Sequence, residues 1–306
     1  MRGVAVALAG ALAMLALALP GMARAQDGAP LPADLETIGM PQPWQIGYQP
    51  ASSPMMDSIY DFHDLLLVII FAISIFVLLL MLYVMVRFRA SKNPNPSRNS
   101  HNTLVEVAWT VVPVLILVII AIPSFRLLYF EDRSVDADLT VKAIGHQWYW
   151  SYEYADEGLA FDALMVADAD LKPGQPRLLT TDTAVVVPID KKVRVLTTAS
   201  DVLHSWTIPA FGIKKDSVPG RINETWFVAQ KAGIYYGQCS ELCGVNHAFM
   251  PITLIALAQE DYDRWLAWAK TEYAAVDRQE RSVASVRPGD LGGSGAAAAA
   301  ATGTAR

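Results

Sequence analysis

Cysteine is nearly absent: the 306 residues hold two, Cys239 and Cys243. A disulfide framework is thereby excluded, and the Cys-x-x-x-Cys spacing has to be judged as one pair, either bridged or ligating. Basic charge is also scarce. Against 30 Asp and Glu there are 24 Lys and Arg, a formal charge of -6, which argues against nucleic acid or anionic lipid as the main partner and leaves a cationic protein partner open. No Gly-rich strand-to-helix phosphate loop and no βαβ alternation occurs, which argues against a nucleotide enzyme. Between Lys142 and Lys172 there is no Lys or Arg, but there are six carboxylates: Glu153, Asp156, Glu157, Asp162, Asp168 and Asp170.

What is abundant is apolar sequence, 53% of the chain. Arg2 precedes an apolar run from Val4 to Leu19, then Pro20 and Ala23-Arg24-Ala25, the pattern of a cleaved secretory signal over 1–25. Residues 26–60 are rich in Pro and Gly at their start and read as an irregular arm on the exported side. A transmembrane hairpin follows over 61–131, with helices expected at about 65–87 and 104–128. Pro113 and Pro123 are tolerable inside the second helix, and Arg126 can snorkel to the interface. The loop 88–103 between them, with Arg87 at its edge, carries Arg89, Lys92 and Arg98 and no acid. The positive-inside rule places that loop in the cytoplasm, and both ends of the mature chain outside.

From about Asp132 the sequence changes to short β-rich runs broken by turns: Leu139 to Ile144, Val185 to Ile189, Lys192 to Thr198, Thr225 to Val228, Gly233 to Gly237 and Ile252 to Ala256. The fold class is a membrane-anchored all-β protein, with an all-β sandwich or barrel over 132–275 that ends in a short helix, Asp261 to Tyr273. The tail 276–306 ends in Gly, Ala, Ser and Thr without core-forming residues, and is expected to be disordered.

The segment Cys239-Ser-Glu-Leu-Cys243-Gly-Val-Asn-His247-Ala-Phe-Met250, with His204 upstream, supplies two thiols, two imidazoles and a thioether. Such soft donors favour copper over magnesium or calcium. Two thiolates on one turn can bridge two ions, with His204 and His247 at the ends, Met250 as a long axial ligand on one ion and the Glu241 carbonyl on the other. Sharing one electron over two ions in a fixed, dry site keeps geometry changes small. A simple disulfide is the competing reading of the thiols, and zinc is the competing metal, although zinc fingers use longer Cys-to-His spacers and a closed zinc site leaves Met250 unexplained.

These residues, with Asp201 to Trp206, Gly145-His-Gln-Trp-Tyr-Trp-Ser-Tyr-Glu-Tyr154, His101 to Trp109 and Val218 to Ile222, resemble subunit II of cytochrome c oxidase, especially its bacterial form. The resemblance implies a cupredoxin-like Greek-key β-barrel after the hairpin. It implies a binuclear copper A centre on His204, Cys239, Glu241, Cys243, His247 and Met250. It also implies that the Glu241 side chain contacts a magnesium or manganese ion shared with the catalytic haem-copper subunit. Trp148 would then be the point where electrons arrive from cytochrome c, and Glu153, Glu157, Asp182 and Asp201 the docking acids, the alternative being an ordinary solvated acidic face. Glu106, at the start of the second span, would sit at the mouth of a proton path into the catalytic subunit; with Thr103 it also fits a capping box, and the two roles are compatible.

The reading as a whole is the electron-accepting subunit of cytochrome c oxidase, passing electrons to haem in its partner for reduction of oxygen to water coupled to proton translocation. The expected location is the bacterial inner membrane with the copper domain in the periplasm, with other oxidase subunits and cytochrome c as partners and no nucleic acid. Two rivals remain: a membrane-tethered single-copper protein, opposed by the second thiol, and a copper-free quinol-oxidase-type subunit, opposed by the presence of every ligand.

Overall fold

A computed structural model describes residues 28–133 and 135–284. The expected signal peptide and the tail beyond Ala284 lie outside the described residues.

Two long helices stand first, α1 (Pro54–Arg87) and α2 (Thr103–Glu131). Both are long and apolar enough to cross a membrane. Along α1 the described buried residues are Met55 and Met56 alone, and α2 has none; an apolar helix surface that the chain leaves uncovered is one for lipid or another membrane protein. Expectation and structure differ at the start of α1, which begins eleven residues before Leu65. Ser53 explains this: its Oγ accepts from the Met56 N–H at 3.0 Å and Pro54 occupies the first helical turn, a start signal independent of hydrophobicity. At α2 the cap is Asn102, whose side chain accepts from the Val105 N–H at 3.2 Å, so Thr103 is the first helical residue and not the capping-box residue.

The arm is likewise not wholly irregular. Thr37–Gly39 forms β1 and pairs in parallel with β10 (Gly233–Gln238). The β domain contains a four-stranded sheet in the order β1-β10-β11-β5, a five-stranded sheet in the order β4-β3-β2-β6-β9, where β9 is Asn223–Val228, and a β7-β8 hairpin. β2 (Leu139–His146) and β6 (Lys192–Ala199) alternate buried and partly exposed residues along their length, the period-2 pattern of a sheet with one face inward. β11 (Pro251–Leu257) is buried at every residue, because it lies between β10 and β5 (Val185–Pro188) and is covered on both faces. The result is a β domain of the cupredoxin-like kind expected, built as two sheets and a hairpin.

Besides β1, four strands are not legible in the sequence: β3 (Tyr149–Tyr154), β4 (Leu159–Ala163), β7 (His204–Ile208) and β8 (Ile213–Ser217). In β3 the buried alternates are Trp150, Tyr152 and Tyr154, interleaved with polar residues among the acids. The terminal helix α3 (Gln259–Ala284) is also longer than expected and continues into the segment assigned to a disordered tail. No Gly or Pro interrupts Ala274 to Ala284, whereas Pro288 and Gly289 come later. α3 packs on the five-stranded sheet through Tyr273 stacked on Phe161 at 4.6 Å and Trp265 beside Tyr154 at 5.8 Å.

The hairpin and β domain are joined at both helix ends. Ser53 Oγ donates to the Phe211 carbonyl at 2.7 Å and the Ser52 N–H to that of Ala210 at 2.9 Å. After α2, the Arg133 guanidinium lies over the rings of Phe130 and Trp226, at 4.7 and 4.6 Å, and Lys215 pairs with Asp132 at 3.0 Å.

Within the domain, β10 and β7 approach so closely that a Cβ added at Gly237 would lie 1.8 Å from the Thr207 carbonyl oxygen. Backbone cannot yield as a flexible side chain can. Gly237→Ala is expected to cost about 3 kcal/mol or more by overpacking, lowering the Tm of the full chain in detergent by about 10 °C, read by tryptophan fluorescence; an unchanged melt would show that the two strands separate freely.

Candidate metal centre

The close packing of β7 on β10 brings the first residue of β7, His204, against the residue that follows β10, Cys239. His204 is fully buried, and its Nδ1 lies 3.8 Å from Cys239 Sγ. The Ser240 N–H donates to the Ser205 carbonyl at 3.0 Å and so pins the cysteine loop to β7. The loop returns on itself where the Cys239 N–H meets the Met250 carbonyl at 3.4 Å, at the start of β11. A short 3-10 turn, His247–Phe249, then presents His247.

All six of the expected ligand residues thereby close around one another. The two sulfurs are 3.9 Å apart and not bonded. Cys243 Sγ is 3.5 Å from His247 Nδ1 and 3.5 Å from Met250 Sδ. Cys239 Sγ is 3.3 Å from the Glu241 carbonyl. Donor atoms of His204, Cys239 and Cys243 lie within 4.8 Å of one another, the one such cluster among the described residues. Two thiols flanked on one side by imidazole and carbonyl, on the other by imidazole and thioether, form a soft donor set that suits copper and places the thioether where zinc would have no use for it.

Glycines shape the surroundings. A Cβ at Gly145 would meet the His204 ring at 2.7 Å, and one at Gly244, where φ is +116°, would meet the Trp148 indole at 3.0 Å. Trp148 is partly buried and its Nε1–H donates to the Cys243 carbonyl at 3.0 Å, which also accepts from Gln147 Nε2 at 2.8 Å. The Trp150 ring packs edge-on to His204 at 5.9 Å, and its Nε1–H reaches the Met250 carbonyl at 3.3 Å.

Asp201 has a role that its sequence position does not disclose. One carboxylate oxygen lies 2.9 Å from His204 Nε2, and the other accepts the Gln147 N–H at 2.7 Å. Burial by itself would raise its pKa, but these bonds and one from the Val202 N–H hold it below its ordinary value. A carboxylate on the outer nitrogen of a ligating imidazole fixes its tautomer and raises its basicity; Asp201 also ties the Trp148 loop to His204.

The other expected docking acids have partners within the chain. Glu153 pairs with Lys142 at 2.9 Å and Glu157 with Lys270 at 2.6 Å. Asp182 accepts from the Leu164 and Thr183 N–H groups, both at 2.8 Å, yet burial still leaves its pKa above the ordinary value. A set of exposed apolar side chains stands beside the centre: Leu203, Leu242, Val245 and Phe249. Scattered along the sequence, they carry no periodic signal. The Glu241 side chain is half-buried and joins no cluster of metal-binding residues among the described residues. Glu106, far from the centre, accepts from the Asn102 N–H at 3.2 Å, pairs with His101 at 2.8 Å and lines an open recess with Thr103, Val107, Thr110 and Val111.

The same two-part organisation is found in known families. Residues 139–257 match the family model of the cytochrome c oxidase subunit II periplasmic domain, and residues 41–127 that of its transmembrane domain. A relative from Rickettsia bellii, a probable cytochrome c oxidase subunit 2, is 50% identical over 246 residues, covering 80% of this chain and 91% of the relative. The chain belongs to the cytochrome c oxidase subunit II family. The Rickettsia felis relative, also a probable subunit 2, is 52% identical over 228 residues, 74% of this chain and 72% of its own. Among solved structures, the periplasmic domain of subunit II of cytochrome oxidase from Bradyrhizobium japonicum matches at 50% identity and TM-score 0.44, covering 46% of this chain and 99% of that one. The chain is thus a membrane subunit of an oxidoreductase complex, associated with other oxidase subunits and carrying a copper-type ligand cluster.

The thiols of the cluster are unequal. Burial pushes Cys239 up, but the bond with His204 and those with backbone groups of Glu241 and Ser205 bring its pKa down to about 7. Cys243 is pushed up by burial and by the neighbouring Cys239 to about 12. The first proton leaves the pair as a whole. In the metal-free full chain, the ultraviolet absorbance of thiolate should rise in two steps as pH is raised, the first with a midpoint near pH 7 and the second only at strongly alkaline pH. Two thiols titrating together at about 8.5, the ordinary cysteine value, would mean that the imidazole and backbone donors do not polarise the pair.

Proposed function

We propose that this chain is the subunit at which electrons from cytochrome c arrive and through which they reach haem in the catalytic subunit, where oxygen is reduced to water with proton translocation. The observation that supports this reading is the convergence of two unbridged thiols, 3.9 Å apart, with His204, His247, Met250 and the Glu241 carbonyl. A copper pair held by His204, Cys239, Glu241, Cys243, His247 and Met250 supplies reversible one-electron chemistry when bound. The protein's own part is to keep the donors fixed and dry. Cys239, Cys243, Met250 and His204 are buried, and two β-strands and a hydrogen-bonded loop hold them.

Trp148 is the group through which electrons arrive: its indole is half-buried at the surface and bonded directly to the Cys243 carbonyl. Cytochrome c docks over it, with Leu203, Leu242, Val245 and Phe249 as the apolar contact and Glu153, Glu157, Asp182 and Asp201 as the acidic surroundings. Because these acids have partners inside the chain, they steer a cationic carrier as a weak field and leave close contact to the apolar residues. His247 marks the side facing the catalytic subunit. The Glu241 carboxylate completes a magnesium or manganese site shared with that subunit, and Glu106 admits protons at the opposite end of α2. With Arg87, Arg89, Lys92 and Arg98 in the cytoplasm, the β domain and the N-terminus lie in the periplasm of a bacterial inner membrane.

The deciding experiment is copper per chain together with the electron paramagnetic resonance spectrum. Two coppers sharing one delocalised unpaired electron are expected; one localised copper would replace the reading with that of a single-copper carrier. Trp148→Phe should retain copper while slowing turnover with cytochrome c at least about 10-fold, about 1.4 kcal/mol in the barrier. Unchanged turnover would remove Trp148 from the route.

A further inference from the structure

The loop between β1 and α1 leaves the β domain, descends along the outside of α1 and comes back. Both of its ends close on one residue. A Cβ at Gly39 would sit 3.2 Å from the Ala210 side chain, and the Ser52 N–H donates to the Ala210 carbonyl at 2.9 Å. Between them the chain reaches well down the helix: Tyr48 packs edge-on against Tyr60 at 5.7 Å and His63 at 5.0 Å, and Tyr60 Oη donates to the Tyr48 and Gln49 carbonyls, both at 2.9 Å. His63 lies two residues before Leu65, where the charge-free run of α1 begins, about 3 Å along the axis. The lower end of the loop therefore stands at the level where hydrocarbon gives way to headgroups.

Its surface suits that level. From Thr37 to Met56 there is no Asp, Glu, Lys, Arg or His. Trp44 is 98% exposed and Ile46 fully so, while Tyr48 is half-exposed. The loop holds its shape without neighbours to cover it: Gln45 Oε1 accepts from the Gln42 N–H at 3.0 Å, and Gln45 Nε2 donates to the Tyr48 carbonyl at 2.5 Å. A large aromatic and an aliphatic side chain held clear of the protein, beside side-chain amides and without charge, match the mixed apolar and polar zone where Trp and Tyr gather. A dry socket on another subunit would have to take the amides as well as the rings.

We propose that the loop Met40–Ala51 is an interfacial anchor, inserting Trp44 and Ile46 into the lipid headgroup boundary on the β-domain side of the membrane and so fixing the height and tilt of that domain above the bilayer. Its occupant is lipid, continuous with the lipid around α1.

Nitroxide labels at Ile46→Cys and, separately, Trp44→Cys test this in the copper-loaded oxidase reconstituted into phosphatidylcholine vesicles. The unsubstituted chain serves as the blank for Cys239 and Cys243, and Asp156→Cys on the exposed β3–β4 turn as the water reference. Relaxation enhancement by oxygen, which partitions into lipid, should exceed that by a water-soluble nickel chelate several-fold at both loop positions and be reversed at Asp156→Cys. Nickel access equal to the water reference would overturn the proposal. So would low access to both reagents, which would place the loop against another subunit. Both labelled side chains are exposed, so copper content is expected to be unaffected and serves as the check that the domain is intact.

Discussion

The contact on which the centre depends is a backbone approach with no side chain in it. β10 passes β7 at a distance that Gly237 permits and any side chain there would prevent. That approach carries Cys239 to His204 and lets Ser240 bond to Ser205. Everything that follows in the loop, the second thiol, His247 and Met250, is positioned from there by local chain geometry. Candidate ligands from two parts of the chain, thirty-five residues apart, are thus joined by the packing of two strands, the kind of rigid support that holds a site in a fixed geometry.

Around this core the residues act in linked pairs. Asp201 holds His204 from behind and the Trp148 loop from below. Gln147 and Trp148 share the Cys243 carbonyl, while Gly145 and Gly244 leave room for the imidazole and the indole. The surface group and the buried ligands are therefore parts of one hydrogen-bonded unit, and a disturbance at either is transmitted to the other. An acid in such a unit is already engaged, which makes Asp201 more a support of the ligand than a free docking charge.

The hairpin is tied to this domain at two points with different chemistry. At the start of α1, Ser52 and Ser53 bond to the backbone around Ala210 and Phe211, and Gly212 gives α1 room to sit there. After α2, Arg133 lies over two aromatic rings and Lys215 pairs with Asp132. A domain held at both helix ends has its orientation relative to the hairpin set by contacts within the chain.

The two spans, the β domain and the ligand types were legible in the sequence because each is a local property: runs of apolar residues, short β-rich segments, and Cys, His and Met within a few residues. What stayed hidden was non-local. β3 could be read as an aromatic and acidic patch because its strand character comes from Trp150, Tyr152 and Tyr154 turning inward against a sheet and a helix far along the chain. The start of α1 followed its Ser53 cap and not its hydrophobicity, and β1 exists because β10 offers it an edge. The sequence by itself determined that soft ligands would lie on one loop above a membrane hairpin. Tertiary structure alone decided that His204 would meet Cys239, that Asp201 would stand behind His204, and that Trp148 would bond to Cys243, since these distances depend on how strands pack and not on how residues follow one another.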